Sequence, residues 1–573
     1  MASIQVAEQA RKLYYVGTLV GESTSGEFRL AVAHETIREQ DIIAVDAELR
    51  EPDSGHAPQQ IRVWAKVQRI ERLNPLFPTE AGHELAATRT DPFDTVLSLS
   101  HEMVTAVCQV LGAEPLEGAG GKLDHLRYPP RPASSAYRPA SRDIARVVLG
   151  ELETKQNRAL DIATLSNRPE VDVTVDGHAI VTRHLAMTGA GKSWTARRII
   201  EQLAQKNYPI VIFDPHGDYT GLAEASGLQG KVRRYFAQFP VFEQSSETVM
   251  TVVEALGWEM ANTHKSHFDV LFEGARTFLS DADELPTRTD WLSAYLGKSN
   301  IKRYGLKSDL FFLADFVQAV VKAGKSEDRE AVKQLVDWGG QESLRMTKQT
   351  AGWLENLPNN LRRGAKRLRQ MEEISKKAAK TSEPLPTDRT ELVKYGQISV
   401  VALAGYTSDF QATIYSLIAE QIFSAKVSSE LKLPVLFLLE EAHNFAPARA
   451  TMPSEQHAIA TTKQIAQEGR KFGVGLLVIS QRPSRLDETT LSMCNSYIVM
   501  RMVNPDDQRF VRRVIETLGE DEARMLPDLD VGEAILSGQL INFPVLVKVK
   551  APESKGDREE EDAFVQLERM RLA

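Results

Sequence analysis

The sequence predicts an α/β fold: a mostly parallel sheet preceded by a small N-terminal β-barrel and interrupted by a helical insertion. Three observations carry this. Unbroken apolar runs (HLAM, PIVIF, ISVVALAG, PVLFLL, VGLLVIS, SYIVMRM) alternate with helical stretches over 178–219 and 396–549, the pattern of parallel strands covered on both faces. Short β-rich segments crowd residues 13–71. Between the two α/β halves, residues 243–385 carry no comparable strand series and read as helical.

In chain order, segments 14–20, 27–32, 41–45 and 61–70 read as strands, with turn-like stretches at 21–26 and 53–55. Strands at this spacing form a small barrel or sandwich, assigned to residues 1–90. Residues 91–112 look helical, and YPPRPASSAYRPAS (128–141) reads as a linker, so 91–140 is taken as a helical and Pro-rich connection. Ser141 reads as the N-cap of the helix that follows. The α/β core then occupies 141–242 and 386–550, the insertion 243–385, and a charged tail 551–573.

Composition narrows the class. Of 573 residues, 42% are apolar and 26% charged, as in a globular chain able to bury a large core. The two cysteines, Cys108 and Cys494, have no CxxC spacing, which argues against a disulfide framework or zinc site and fits a reducing, cytoplasmic setting. No apolar run approaches the ~20 residues of a membrane helix, so no membrane partner is expected. A net charge of −9 leaves nucleic acid open, because local charge at the contact face decides such binding.

The central motif is AMTGAGKS, 186–193, between a short apolar strand and the helix SWTARRIIEQLAQK. A phosphate-binding loop requires that context. Glycines at 189 and 191 let backbone amides turn inward, Lys192 reaches the β- and γ-phosphates, and the Ser193 hydroxyl can bind Mg²⁺. The nucleotide-binding residues are then Thr188, Gly189, Ala190, Gly191, Lys192, Ser193 and Trp194. Ala186 stands where the motif usually has its first glycine. The ligand is ATP with Mg²⁺, and the core is that of a RecA-like P-loop NTPase.

The partner motif is PVLFLLEEAHNFAP, 434–447. A buried strand ending in acids is where such enzymes place metal and water chemistry. Glu440 would hold Mg²⁺ through water, and Glu441 would orient and activate the attacking water. Aspartate is more usual at position 440. PIVIFDPHGDY sets Asp214, His216 and Asp218 just past another buried strand, where local hydrogen bonding, or a supporting role near the magnesium or at the DNA-facing loop, outweighs a His-bound metal. VGLLVISQRPS ends in Gln481, either a γ-phosphate sensor or a polar strand cap. Arg470 closes the helix SEQHAIATTKQIAQEGRKFG before Gly473. It is either a dipole partner or an arginine offered to a neighbouring subunit's γ-phosphate.

Together RHLAMTGAGKSWTARRI, VIFDPHGDY, LLEEAHNFAP, EGRKFGVGLLVISQRPS, NPDDQRFVRR, GEAILSG and FPVLVKV resemble, in order and spacing, the HerA branch of the HerA–FtsK superfamily. The resemblance covers roughly 140–219 and 396–550, and the insertion weakly or not at all. The departures are Ala186, Glu440 and Asp218, where HGEY is more common. The N-terminal strands resemble the β-barrel that precedes the motor in this family. The resemblance implies a homohexameric ring with ATP sites between subunits, double-stranded DNA through the pore, Arg470 as the trans finger and Gln481 as the sensor. It also implies an effector enzyme docking on the N-terminal barrel: a NurA-type nuclease in DNA end processing, or a nuclease or sirtuin-like NAD-consuming protein in antiviral defence.

Residues 361–380 carry eight Lys or Arg and two Glu. Such a helix contacts DNA phosphates, or is a solvated face, or pairs with the acidic run 557–562. No helix-turn-helix or zinc-finger signature appears. Three classes therefore compete: a DNA-translocating ATPase, an ATP-gated ring scaffold that activates a partner enzyme with little translocation, and a membrane-branch motor. The missing membrane segment counts against the third.

Overall fold

The computed structural model describes residues 14–32, 36–49, 59–74, 83, 86–88, 103–116, 122–150, 156–225, 227–239, 241–256, 258, 260–280, 285–297, 310–335, 346–380, 383–554 and 563–572. The chain forms two compact units. One comprises Met1–Asn207, Gly475–Ser484 and Leu491–Glu553; the other comprises Tyr208–Val474, Arg485–Thr490 and Ser554–Ala573.

The first unit opens with six strands: β1 (Tyr15–Ser23), β2 (Glu27–Val32), β3 (Ile42–Leu49), β4 (Gln59–Leu73), β5 (Met103–Pro115) and β6 (Ser135–Tyr137). They close antiparallel into a barrel of order β1-β2-β5-β4-β3-β6. Alternation along β4 sends Ile61, Val63, Ala65 and Val67 into the barrel core with Phe28, Leu30 and Ile43, as the two-residue period of a strand requires. The opposite face of β4 is buried as well. Trp64 Nε1 donates to Glu114 at 3.0 Å, and Arg146 of the helix Ser141–Leu149 forks onto the same carboxylate with two bonds of 2.7 Å. Burial pushes the Glu114 carboxyl upward, but these donors outweigh it and hold the group below its ordinary value. Beside it the Lys66 ammonium is buried against Glu522 and donates to the Pro544 carbonyl at 3.4 Å. Two charged contacts thus tie the barrel to later segments of its own unit.

This arrangement corrects the expected boundaries. Residues 103–112, read as helical, lie in β5, and the stretch read as a linker contains β6, which closes the barrel. The barrel therefore runs past residue 90 to Tyr137. The misreading has a cause: MVTAVCQVLGAEP has apolar positions that fit either period, and only pairing with both β2 and β4 selects the strand. Residues 91–102 lie outside the described residues. Ser141 is the first helical residue, and Ala140 holds the cap position without a side-chain cap; the Ser141 hydroxyl instead accepts from Arg168 at 2.9 Å.

The remaining strands are β7 (Ala159–Leu165), β8 (Asp172–Asp176), β9 (Leu185–Thr188), β10 (Ile210–Asp214), β11 (Val232–Phe236), β12 (Ile398–Ala402), β13 (Val435–Leu439), β14 (Val474–Ser480), β15 (Ser496–Met500), β16 (Glu533–Gly538) and β17 (Val545–Val549). In the first unit the order is β14-β9-β15-β16-β17-β7-β8. Here β14, β9 and β15 are parallel, and the others join antiparallel. In the second unit β11-β12-β10-β13 are all parallel. Strands β10, β12, β13, β14 and β15 are buried at every residue, which is why their sequences run apolar without alternation.

The insertion is helical as expected. Its core is aromatic: Phe242 stacks on Phe272 at 5.5 Å and meets Phe312 edge-on at 5.8 Å. The helix Leu357–Ala379 packs against Leu310–Lys325 in the same unit. In the region read as a charged tail, Ala563–Leu572 is helical, and the acidic run 557–562 lies outside the described residues. Among the described residues no helix is long and apolar enough to cross a membrane.

Candidate nucleotide site

In the first unit, β9 ends at Thr188 and the chain turns through Gly189 (φ 102°) and Gly191 (φ 96°) into the helix Lys192–Gln205. Both glycines sit where a side chain is disfavoured. A Cβ on Gly189 would fall 2.6 Å from the Met500 backbone, so the loop can pass over the end of β15 only without one. The Ala190 amide donates to the Arg501 carbonyl at 3.0 Å. Gly191 caps the helix with no side-chain bond, which leaves first-turn amides for an anion. Lys192 is 3% exposed, and its ammonium reaches the Gly189 carbonyl at 3.3 Å. It therefore lies folded along the loop whose ligand it would hold. Ala186 lies inside β9, paired with Val478 and Tyr497 and without positive φ; no glycine is needed there. Thr188 Oγ1 is buried without a hydrogen-bond partner among the described residues, a polar atom suited to a polar ligand. Ser193 lies half-buried in the first turn, and Trp194 beside it is 46% exposed.

Strand β14 runs beside β9 with Ser480 opposite Thr188. Gln481 is the next residue and is exposed, so it stands at the strand tip next to the phosphate loop.

In the second unit, β13 delivers Glu440 and Glu441, 2% and 8% exposed. Glu441 has left-handed backbone angles, φ 47° and ψ 55°, a strained state for a residue with a side chain and one that gathers at functional sites. His443 Nδ1 lies 3.4 Å from Glu441 Oε2. Glu440 Oε2 accepts the Tyr219 hydroxyl at 2.5 Å. Tyr219 is delivered by a turn wound on the fully buried Asp214, whose Oδ1 accepts the amides of His216, Gly217 and Asp218 at 3.3, 2.8 and 3.1 Å, and whose Oδ2 accepts that of Tyr219 at 3.0 Å. Burial raises the Asp214 carboxyl above its ordinary value against the pull of those amides. The expected supporting role of Asp214 is thus a turn-organising one. Among the described residues no three His, Cys, Asp or Glu gather into a metal cage. A single carboxylate such as Glu440 fits Mg²⁺ that takes its other oxygens from phosphates and water.

Arg470 lies exposed in the last turn of the helix Pro453–Phe472, which Gly473 stops at φ 71°. It forms no ion pair among the described residues, so it is not spent as a local partner. Tyr219 was the member that motif reading passed over, although it closes the string VIFDPHGDY. Asn444, which donates to Gln411 at 3.0 Å just past Glu441, was another. Both act through tertiary pairing, which spacing along the chain does not encode.

A family model described as the central domain of helicase HerA matches residues 160–422, a range that runs through the insertion. The chain is 30% identical over 536 residues to the DNA double-strand break repair helicase HerA of Pyrococcus furiosus, covering 85% of each. It is 26% identical over 552 residues to a probable helicase of Methanocaldococcus jannaschii, covering 93% of this chain and 95% of that one. It is 25% identical over 397 residues to the DNA double-strand break repair helicase HerA of Saccharolobus solfataricus, covering 67% of each.

Proposed function

The chain belongs to the HerA family, and from that footing we propose that it is an ATP hydrolase that uses Mg²⁺ and works as a DNA motor: a homohexameric ring moving along double-stranded DNA with a partner effector enzyme. The observation that carries the reading is the phosphate loop, a glycine-dependent turn with Lys192 folded along it and an uncapped helix behind it.

In this reading the loop amides and Lys192 bind the β- and γ-phosphates and offset the charge that builds as the bond breaks. Water attacks the γ-phosphorus, the bond to the β-bridging oxygen breaks, and ADP and inorganic phosphate leave. Glu441 orients that water and takes its proton. The Ser193 hydroxyl and Glu440 would hold Mg²⁺, which would supply charge neutralisation to the phosphates. Gln481 senses the γ-phosphate through its amide, and Arg470 reaches the γ-phosphate of the neighbouring subunit.

The effector is a nuclease or an NAD-consuming enzyme, in DNA end processing or antiviral defence, and the barrel is its docking surface. The buried face of β4 is committed to Glu114, Arg146 and Glu522 within this chain. The docking side is therefore β1, where Tyr15 and Val20 are exposed and Tyr14, just before the strand, is exposed as well.

Steady-state ATPase assays with and without linear duplex DNA, on protein sized by light scattering, test the motor. DNA should accelerate turnover by a hexamer. Turnover that ignores DNA but responds to an effector would replace the motor with the ATP-gated scaffold.

A further inference from the structure

We propose that the helix Leu357–Ala379 is the DNA-sensing element of the motor. Its outer face, through Arg363, Lys366 and Lys377, grips the phosphate backbone of duplex DNA, and its C-terminal turns are joined to the loops that hold Glu440 and Glu441. The inference rests on the motor reading above and assigns the site at which DNA is felt.

The helix is built in two halves around its axis. Leu357, Leu361, Gly364, Leu368, Met371, Ser375 and Ala379 recur every three or four residues and are buried. Several of its cations have structural work. Arg362 pairs with Asp315 at 2.7 Å, Arg367 donates to the Leu256 carbonyl at 2.8 Å, and Arg369 lies 5.0 Å over the Phe311 ring. A purely structural account of the basic run covers these residues and stops there. Arg363, Lys366 and Lys377 are exposed and have no partner among the described residues. At about 100° per residue the three fall within about 60° of one another, and the face they define is about 21 Å long. Glu373 is the exposed acid near that face, so the face stays positive. A rigid row of cations without base-reading groups matches a phosphate backbone, which is recognised by charge and not by sequence.

Two routes join this helix to the carboxylates. Near its C-terminal end the helix passes beside Gly217, where an added Cβ would lie 3.9 Å from the Ala378 carbonyl oxygen, in the turn that Asp214 organises to deliver Tyr219 to Glu440. One turn earlier, Ser375 donates to the Ala402 carbonyl at 2.7 Å, and Ile374 lies against Gly405 so closely that a Cβ there would fall 2.5 Å from it. The Gly405 loop offers the Leu403 and Tyr406 carbonyls to Gln411, which in turn accepts from Asn444, three residues beyond Glu441. A shift of the helix under DNA cannot leave both loops untouched.

The test uses full-length protein, random-sequence linear duplex, a salt series of anisotropy titrations, and ATPase assays. Arg363→Gln/Lys366→Gln/Lys377→Gln should flatten the salt dependence of binding by about 0.9 per lost phosphate contact and should lose DNA stimulation of turnover. The charge-keeping variant Arg363→Lys/Lys366→Arg/Lys377→Arg should retain both. Melting curves that match the parent establish that the neutral variant is folded. Gln411→Met should bind duplex with the parent's salt slope yet respond to it weakly. A neutral variant with the parent's slope and stimulation overturns the contact, and full stimulation in Gln411→Met overturns the coupling. A parent protein that neither binds duplex nor responds to it overturns the motor reading itself, and this inference with it, whatever the variants do.

Discussion

The Tyr219 hydroxyl donates to Glu440 Oε2 at 2.5 Å, and both side chains are buried. The bond links the segments that follow two neighbouring strands, β10 and β13, and fixes one oxygen of the carboxylate proposed above to hold Mg²⁺. Tyr219 is therefore a positioning residue. In Tyr219→Phe the carboxylate loses a hydrogen bond worth about 1.5–3 kcal/mol when one partner is charged. Turnover should fall by about 10- to 100-fold, and half-saturation by Mg²⁺ should move to higher concentration while metal-free nucleotide binding stays as it was. An unchanged Mg²⁺ profile would reduce Tyr219 to a packing residue.

Removing the phosphate cation and removing the base should look different. Lys192→Ala takes away the buried cation of the loop and should lose nucleotide binding or turnover. Glu441→Gln keeps shape and burial but cannot take up a proton, so it should bind ATP while turnover drops by at least about 100-fold. Fluorescent-nucleotide titration beside phosphate release separates the two. Near-normal release by Glu441→Gln would move the base elsewhere.

Arg470→Ala should leave the ring assembled and cripple hydrolysis, because an arginine reaching a neighbour's γ-phosphate is worth about 10³-fold or more. Mixing it with Glu441→Gln subunits should restore part of the activity, since some interfaces then pair an intact base with an intact finger. Normal hydrolysis by Arg470→Ala alone would leave it a helix-terminal cation.

What could be read in advance follows from how local each cause is. β9, β10 and β12–β15 were legible because burial on both faces leaves no alternation in their sequences. The phosphate loop was legible because Gly189 and Gly191 answer a local backbone demand. β5 and β6 were not, since their pairing partners lie far away in the chain. Nor was β11, whose VRRYF carries two adjacent arginines at the edge of its sheet. The Glu440 motif announced a carboxylate, but Tyr219, more than two hundred residues earlier, was visible only once β10 and β13 paired.

Stability should carry a pH signature from His457 and Glu420, which join the helices Pro453–Phe472 and Ser408–Val427 at 2.8 Å. The hydrogen bond to Glu420 raises the His457 imidazole above its ordinary value. Burial pushes Glu420 up, but bonds from His457 and Thr461 outweigh it and hold the carboxyl low. A raised histidine stabilises fully below its unfolded value, about 6.5, and that contribution fades as pH rises through the folded value. A lowered glutamate stabilises above about 4.3 and loses its contribution as pH falls. The pair therefore acts between those limits. The melting-temperature gap between parent and His457→Gln should be widest between about pH 4.3 and 6.5 and should narrow as pH rises through the raised folded value of the imidazole. A gap that is constant with pH would mean that the imidazole contributes by packing alone.

The barrel should be inseparable from the unit it belongs to, and Lys66 is where to test this. Its ammonium is buried against Glu522, on the face of β4 opposite the barrel core. A buried pair is not strongly stabilising in itself, but removing one partner strands the other without water, at about 3–5 kcal/mol. Lys66→Met should therefore lower the unfolding free energy obtained from denaturant melts by most of that amount. Lys66→Met/Glu522→Leu, which removes both charges, should recover much of it. Denaturation of the two variants beside the parent gives the coupling as a double-mutant cycle. For the same reason, truncation at residue 90 would leave β5 and β6 without their partners; a clean deletion starts after Ala140. Additive losses in the cycle would show that Lys66 and Glu522 are neighbours without being partners, and the charged tie of the barrel would then be the Arg146–Glu114 contact.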